Sequence, residues 1–475
     1  MSFKTRLLTT AQSGQQGDSD NTLPNLALFN QLNPQRYPYL LKSSAVRQNN
    51  TQYDILIACP LYSLTLDSDK SLHCTDKDLP LASSFLETLE TFFQNNKKAV
   101  STENNGLPFT GGWFVYLSYE MAEEVEPCLS LPPLPASQPL AVATRCPAAI
   151  IIDKQNKQCI AIAETEYAYL LDDLEEDFSV IINRSDETLS ATDKIELESL
   201  VESDTAPYLQ QVEKIKQYIV DGDIFQANLS RQWQVVLKQD VSDAVLFDAL
   251  SRQNPSSFAA MVCLQNMTII SSSPERLVSS KNGIVETRPI AGTRPRDEDQ
   301  QSDEALAKEL LSHPKEQAEH IMLIDLERND LGRVCRPGTI EVNELMVLES
   351  WQHVHHIVSN VRGELDSNRS PIDVLRAVFP GGTITGCPKV HCIEILAEME
   401  QQARGAYTGS LGYINNDGSM DFNILIRTMV RDKGNNTITF RAGGGIVSDS
   451  VATKELEETR AKAKGLLKIF SLKNE

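Results

Sequence analysis

Two acidic segments, far apart in the chain, carry the residues best suited to chemistry. One reads Pro314-Lys-Glu316-Gln-Ala-Glu319-His320 and the other Glu455-Leu-Glu457-Glu458-Thr-Arg-Ala-Lys462. In each, two glutamates stand three residues apart, which on a helix places them on one face. Two such pairs turned toward each other make a four-carboxylate site, the oxygen-rich setting that a hard divalent cation such as Mg²⁺ takes. An isolated pair is more often a solvated helix face, so the expectation depends on its surroundings. Between the pairs lie glycine- and threonine-bearing turns and fixed cations, the parts that hold a small carboxylated substrate. The combination points to an enzyme.

A further carboxylate, Glu275 in Ser271-Ser-Ser-Pro-Glu275-Arg276, stands just beyond an apolar strand end. Burial there raises a carboxyl pKa toward neutrality and suits it to general-acid work. Lys462 follows Glu458 by one helical turn and is placed to neutralise a carboxylate. At Gly443-Gly-Gly445 the backbone can approach a ligand closely, because no side chain intervenes.

The elements that must position these groups follow from periodicity. Strands are expected at 53–58, 111–117 and 149–153, with a proline-rich crossing at Leu131-Pro-Pro-Leu-Pro135. The first twenty or so residues are polar and read as a flexible stretch. Residues 183–204, acidic and Ser/Thr-rich, read as a linker or surface excursion between an N-terminal region (25–162) and a second region (205–470). Asp204 or Thr205 caps a helix with Pro207 in its first turn, and Gly222 ends it. Further helices are expected at 314–331, 388–399 and 453–470. Strands are expected at 224–237, 268–272, 283–289, 409–414, 424–430 and 437–442. Strands divided sometimes by helices and sometimes by turns imply an α+β fold, not a doubly wound parallel sheet.

A chain of 475 residues with 41% hydrophobic and 23% charged residues supports a substantial core. A net charge of −21 without a basic patch excludes nucleic acid and anionic membrane surfaces as partners. The N-terminus lacks the apolar core of a secretory signal, and the apolar runs are strand-length, so a cytoplasmic location is expected. Nine cysteines without metal-type spacing read as free thiols.

From Gln226 onward the motifs fall in a telling order. They are Ile224-Phe-Gln-Ala-Asn-Leu-Ser-Arg231, Glu275, Thr287-Arg-Pro-Ile-Ala-Gly-Thr293 and the Glu316/Glu319 pair. Then come His353-Val-His-His-Ile-Val-Ser359, Phe379-Pro-Gly-Gly-Thr-Ile-Thr-Gly-Cys-Pro-Lys389, Arg404-Gly-Ala-Tyr407-Thr-Gly and Asn423-Ile-Leu-Ile-Arg427-Thr. The series closes with Ala442-Gly-Gly-Gly-Ile-Val-Ser-Asp449 and the Glu455/Glu458/Lys462 helix. This set resembles the chorismate-utilising enzymes, among them the anthranilate, aminodeoxychorismate, isochorismate and salicylate synthases. The resemblance implies a large fold of antiparallel sheets flanked by helices, with the N-terminal part packed against the C-terminal catalytic part.

It also implies roles. Glu319 and Glu458 would ligate Mg²⁺, with Glu316 and Glu455 acting through water or around the ligands. Tyr407 and Arg427 would bind the enolpyruvyl carboxylate, a task that suits a guanidinium fork. Gly443, Gly445 and Lys462 would line the substrate, Thr383 and His356 would lie near the ring and its departing hydroxyl, and Glu275 would protonate that hydroxyl. Gln226 stands where the water-adding members carry lysine; glutamine is a poor base, which implies ammonia as nucleophile. Ala291 stands where familiar aminodeoxychorismate synthases carry lysine and anthranilate synthases carry alanine.

Asn228, Gly381-Gly382, Tyr407-Thr-Gly-Ser-Leu-Gly412 and Gly443–Gly445 resemble the aminodeoxychorismate branch instead. Near the N-terminus, Leu40-Leu-Lys42-Ser43 replaces the Leu-Leu-Glu-Ser of a tryptophan feedback site. On balance the resemblance implies component I of an aminodeoxychorismate synthase, feeding 4-aminobenzoate and folate synthesis, with component I of an anthranilate synthase as the alternative. The chain shows no Gly-x-Cys-x-Gly turn, so a separate glutaminase subunit is the expected source of ammonia.

Overall fold

The computed structural model describes residues 3–9, 23–43, 53–98, 106–183, 194–297, 299–350 and 354–472. Two large sheets, of 13 and 11 strands, dominate it. Pairing is antiparallel apart from a short parallel contact between Ile195–Glu202 and Phe470–Leu472. The α+β expectation holds.

Strict alternation explains why many strands are apolar on both faces. Ile55 and Ile57 of Tyr53–Ala58, and Phe114 and Tyr116 of Gly112–Leu117, point into a core shared by the two sheets. Their neighbours point outward: Leu56 and Ala58 join one outer core, and Trp113, Val115 and Leu117 the other. Helices cover both outer faces. Leu171, Leu174, Phe247, Leu250 and Leu466 belong to the first outer core, and Phe85, Leu89, Ile324 and Leu375 to the second. The result is a helix–sheet–sheet–helix stack.

The N-terminal and C-terminal regions share both sheets. Tyr39–Lys42 pairs with Phe258–Cys263 in the larger sheet, and Gly112–Leu117 pairs with Ser410–Asn415 in the smaller. Residues 184–193 lie outside the described residues. The rest of the expected excursion is ordered: Ile195–Glu202 is a strand, with Ile195 and Leu197 buried and Glu196 and Glu198 exposed. Its period of two places the apolar residues on one face, and the acidic composition masked that pattern. Likewise Phe3–Leu8, expected to be flexible, pairs antiparallel with Gln158–Glu164.

Two adjacent crossings between the sheets position the site. Met267–Ser273 belongs to the larger sheet and Arg276–Lys281 to the smaller, so the chain changes sheet at Pro274-Glu275. The expected strand 424–430 is broken in the same way. Met420–Ile424 lies in the smaller sheet and Thr428–Asp432 in the larger. Between them Arg427 takes a left-handed φ of 50°. The crossings are tied together: Ile424 N–H donates to the Glu275 carbonyl and Ser272 N–H to the Arg427 carbonyl, each at 3.0 Å.

Helix ends follow local chemistry. The Asp204 side chain accepts from Ala206 N–H, opening the helix Thr205–Asp221, and Gly222 closes it at φ 85°. Helices Pro314–Gly332, Lys389–Glu400 and Ala452–Leu467 match the expected ones. No described helix is long and apolar enough to cross a membrane. None of the nine cysteines is in a disulfide; Cys128 is exposed and Cys146, Cys159, Cys335 and Cys392 are buried.

Candidate active site

At the seam between sheets, the Glu275 carboxyl is buried, and Thr383 Oγ1 donates to its Oε1 at 2.7 Å. Burial pushes its pKa up to about 7, against the opposing pull of Thr383, Lys462 and Arg427. A carboxylic acid of that strength keeps much of its proton at neutral pH and can deliver it to a leaving oxygen. Arg427 stands on the neighbouring crossing. Burial lowers its pKa while Glu275 raises it, and its guanidinium has no ion-pair partner among the described residues. A buried cation of this kind is costly unless an anion completes it.

His356, on the strand Val354–Glu364, is buried, with Nδ1 3.4 Å from the Gly292 carbonyl. Burial and then Arg427 pull its pKa down to about 4, so the imidazole is neutral at neutral pH. Donation from Nδ1–H to the carbonyl sets the tautomer.

The second wall is the strand Thr437–Ile446, whose glycines alternate in outlook. A Cβ at Gly443 would lie 2.8 Å from the Tyr407 hydroxyl, and one at Gly445 would lie 2.2 Å from Gln226 Nε2. Only glycine leaves room for those two side chains. Tyr407 is buried, its pKa pushed up to about 12 by desolvation, so it serves as a neutral hydroxyl. Gln226 is buried too, and its Oε1 accepts no hydrogen bond from the described residues. Lys462 Nζ donates to the Gly443 carbonyl at 2.7 Å and pairs with Glu458 Oε1 at 2.8 Å.

The glutamate pairs are arranged differently from expectation. Gly444 faces the other way: a Cβ there would meet Glu458 Oε1 at 3.3 Å and Glu455 Oε2 at 3.6 Å. Glu455 and Glu458 therefore do share one face, beside the glycine strand. Glu316 is instead engaged by Arg294 at 3.3 Å and approaches Gly292, and Glu319 is half-buried one turn further along that helix. Among the described residues no three His, Cys, Asp or Glu side chains are gathered into a metal cage. The expected four-carboxylate cluster is thus not drawn together; lysine and arginine neutralise Glu458 and Glu316 separately. The donor chemistry still suits a hard cation, because Mg²⁺ takes one or two protein carboxylates and completes its shell with water and substrate oxygens.

Ala291 packs with Leu323 and Leu326 of the helix Pro314–Gly332. Its small side chain faces an apolar helix surface.

Sequence reasoning missed two buried charged groups beside the site. Glu327 lies on the same helix with its Oε1 3.6 Å from where a Gly382 Cβ would be. Burial, then Asp330, pushes its pKa up to about 8, and Asp330 pairs with Lys389 at 2.5 Å. Behind Tyr407, Glu400 is paired with Arg404 at 2.8 Å and Arg441 at 3.2 Å, all three buried. The i,i+4 spacing of Glu400 and Arg404 was the one available signal, and it reads equally as a surface pair.

A separate cavity of about 300 Å³ opens between the sheets, lined in part by Lys42, Tyr53, Phe258, Arg276, Tyr413 and Asp421. Asp421, the acidic group of its wall, is bound by Arg276 at 2.8 and 3.0 Å.

Comparison with known proteins identifies the family. Residues 38–468 match the chorismate binding enzymes, and the chain belongs to that family. It is 48% identical over 269 residues to aminodeoxychorismate synthase component 1 of Bacillus subtilis, covering 56% of each chain. It is 34% identical over 484 residues to anthranilate synthase component 1 of a Synechocystis species, covering 94% of each. Among solved structures, anthranilate synthase component I from Streptococcus pneumoniae superposes with a TM-score of 0.75 at 28% identity, over 89% of this chain and 93% of that one.

Proposed function

We propose that this chorismate-utilising enzyme is component I of an aminodeoxychorismate synthase, converting chorismate and ammonia to 4-amino-4-deoxychorismate and water. Amination is supported by Gln226, a side chain that cannot deprotonate water and that sits against Gly445. The observation that carries the branch is the cavity between the sheets. Lys42 lines it, and Asp421, the acidic group of its wall among the described residues, is already bound by Arg276. Among the described residues, then, this wall offers an amino acid's ammonium no uncommitted carboxylate, which speaks against feedback by an amino acid of the kind that suits tryptophan synthesis.

In the reaction, Arg427 and Tyr407 hold the enolpyruvyl carboxylate and Glu275 gives its proton to the C4 hydroxyl, which leaves as water. With Ala291 in place of lysine, ammonia or another nucleophile adds at C2 as the C4–O bond breaks. Ammonia then forms the C4–N bond as the C2 group leaves, and ionised Glu275 takes up the released proton. Glu319 and Glu458 would ligate Mg²⁺, with Glu316 and Glu455 acting through water or around the ligands; when bound, the ion would neutralise the ring carboxylate. A separate glutaminase subunit would supply the ammonia, and a cytoplasmic location goes with this metabolism.

Ala291 favours the second reading, anthranilate synthase component I, because its apolar packing leaves no amine at C2. The test is a product assay with chorismate, Mg²⁺ and ammonium, with and without aminodeoxychorismate lyase. 4-Aminobenzoate formed only with the lyase is expected; anthranilate formed without it establishes the second reading.

A further inference from the structure

We propose that the buried Glu400–Arg404 pair is a positioning device, holding Thr408 in a left-handed backbone conformation and so setting the adjacent Tyr407 against Gly443. The inference rests on the reading of Tyr407 and Gly443 as substrate-binding residues.

Thr408 has φ 63°. A β-branched residue rarely adopts that region, and it persists only where the surroundings over-determine it. Here they do. Thr408 N–H donates to the Leu425 carbonyl at 2.8 Å, on the crossing that leads to Arg427. Its Oγ1 donates to the Tyr407 carbonyl at 2.5 Å and accepts from Arg404 Nη1 at 3.3 Å. The hydroxyl thus links Arg404 to the tyrosine's own backbone.

Arg404 ties together several elements that border the candidate site. Its Nη2 donates to the Asn228 carbonyl at 2.6 Å, and Nη1 to the Ile384 carbonyl at 3.3 Å, one residue past Thr383. Its guanidinium lies 4.6 Å from the Tyr119 ring centroid and 5.8 Å from that of Tyr407. Glu400 fixes that fork: it accepts from Arg404 Nε and Nη2 at 2.9 and 2.8 Å, from Ser230 N–H and Oγ, and from Arg441 Nη2. Arg441 lies two residues before Gly443 on the glycine strand. The N-terminal region closes the device from below, where Glu120 accepts from the backbone N–H groups of Arg404 and Gly405. A bidentate pair satisfied on all sides gives geometric specificity rather than mobile charge.

The test is Thr408→Gly, which keeps the left-handed backbone available while removing the hydroxyl bridge, alongside Thr408→Ser, which restores it. Steady-state kinetics with chorismate and ammonium are read together with thermal unfolding. The expected result is a KM for chorismate raised about five-fold or more in Thr408→Gly, near wild-type KM in Thr408→Ser, and melting temperatures within a few degrees of wild type. Arg404→Lys is expected to raise KM non-additively with Thr408→Gly, because the two act through one connection. If Arg404→Lys does not fold, the glycine–serine contrast decides alone. A KM for Thr408→Gly within about two-fold of wild type, or serine no better than glycine, overturns the proposal. If the wild-type chain itself turns over no chorismate, the reading of the site has failed, and the two failures are told apart.

Discussion

The two halves of the site are built on opposite plans. The acid half, Glu275 with Thr383, Arg427 and His356, is carried by the two strand crossings and the strand Val354–Glu364, with Thr383 on the short 3-10 turn Gly382–Ile384. It is buried, and it sets a carboxyl whose pKa burial raises to about 7 beside a guanidinium that has no ion-pair partner among the described residues. The metal half of the proposed reading is carried by two helices. Its glutamates are partly exposed, and Glu316 and Glu458 are neutralised by Arg294 and Lys462. Strands locked between two cores give fixed geometry at the cost of desolvating charge. Helix faces leave the carboxylates partly exposed, in ion pairs that cost little to exchange.

The contrast can be broken at either half. Glu275→Gln removes the proton donor while keeping shape, and is expected to lower kcat about 10³-fold; activity within ten-fold of wild type means the acid lies elsewhere. Glu458→Gln is expected to cost roughly 10²-fold at saturating Mg²⁺ and to weaken the dependence on Mg²⁺ concentration. An unchanged Mg²⁺ titration removes this residue from the metal half. Arg427→Ala is expected to raise the chorismate KM about 30-fold, the ~2 kcal/mol of a charge-assisted contact, with a smaller effect on kcat.

The pH profile sharpens the same comparison. Glu275 acts in its protonated form, so kcat should fall as pH rises through about 7, and Glu275→Gln should lose that limb. Its folded pKa is raised, so its contribution to stability is fully present below about pH 4.5 and is lost as pH rises toward 7. Equilibrium unfolding of wild type and Glu275→Gln across that window checks the sign. The smallest effect is expected at Ala291→Lys. Its neighbours Leu323 and Leu326 offer a lysine no partner, so the product should not change and stability should fall by about 1–3 kcal/mol. A change of product makes position 291 the determinant of the branch.

Much of this site was legible in the sequence because its parts are local. Asp204, Pro207 and Gly222 mark a helix by their own chemistry, and the glutamate pairs share helix faces by spacing alone. What failed was non-local. The run Ile424-Leu-Ile-Arg427 looks like one strand, and only the left-handed turn at Arg427 shows that it joins two sheets. Ile195–Glu202 lies between Gln226–Leu237, with which it pairs antiparallel, and Phe470–Leu472, which it meets in parallel from far along the chain. Glu400, Arg404 and Glu327 are charged residues that only tertiary structure buries, so composition assigns them to the surface. Nor could spacing show that Glu316 meets Arg294 in place of the opposite glutamates.

A calorimetric titration of Mg²⁺ into the protein with and without chorismate, ammonium being absent, is the most direct test of the two-part site. On the proposed reading, the helix glutamates supply only part of a cation's shell and substrate oxygens complete it. Mg²⁺ should then bind weakly alone and about ten-fold or more tightly with chorismate, and chorismate should gain the same factor from Mg²⁺. Equal Mg²⁺ affinity in both titrations would mean that the helix glutamates form the site unaided, and the division into two halves would be wrong.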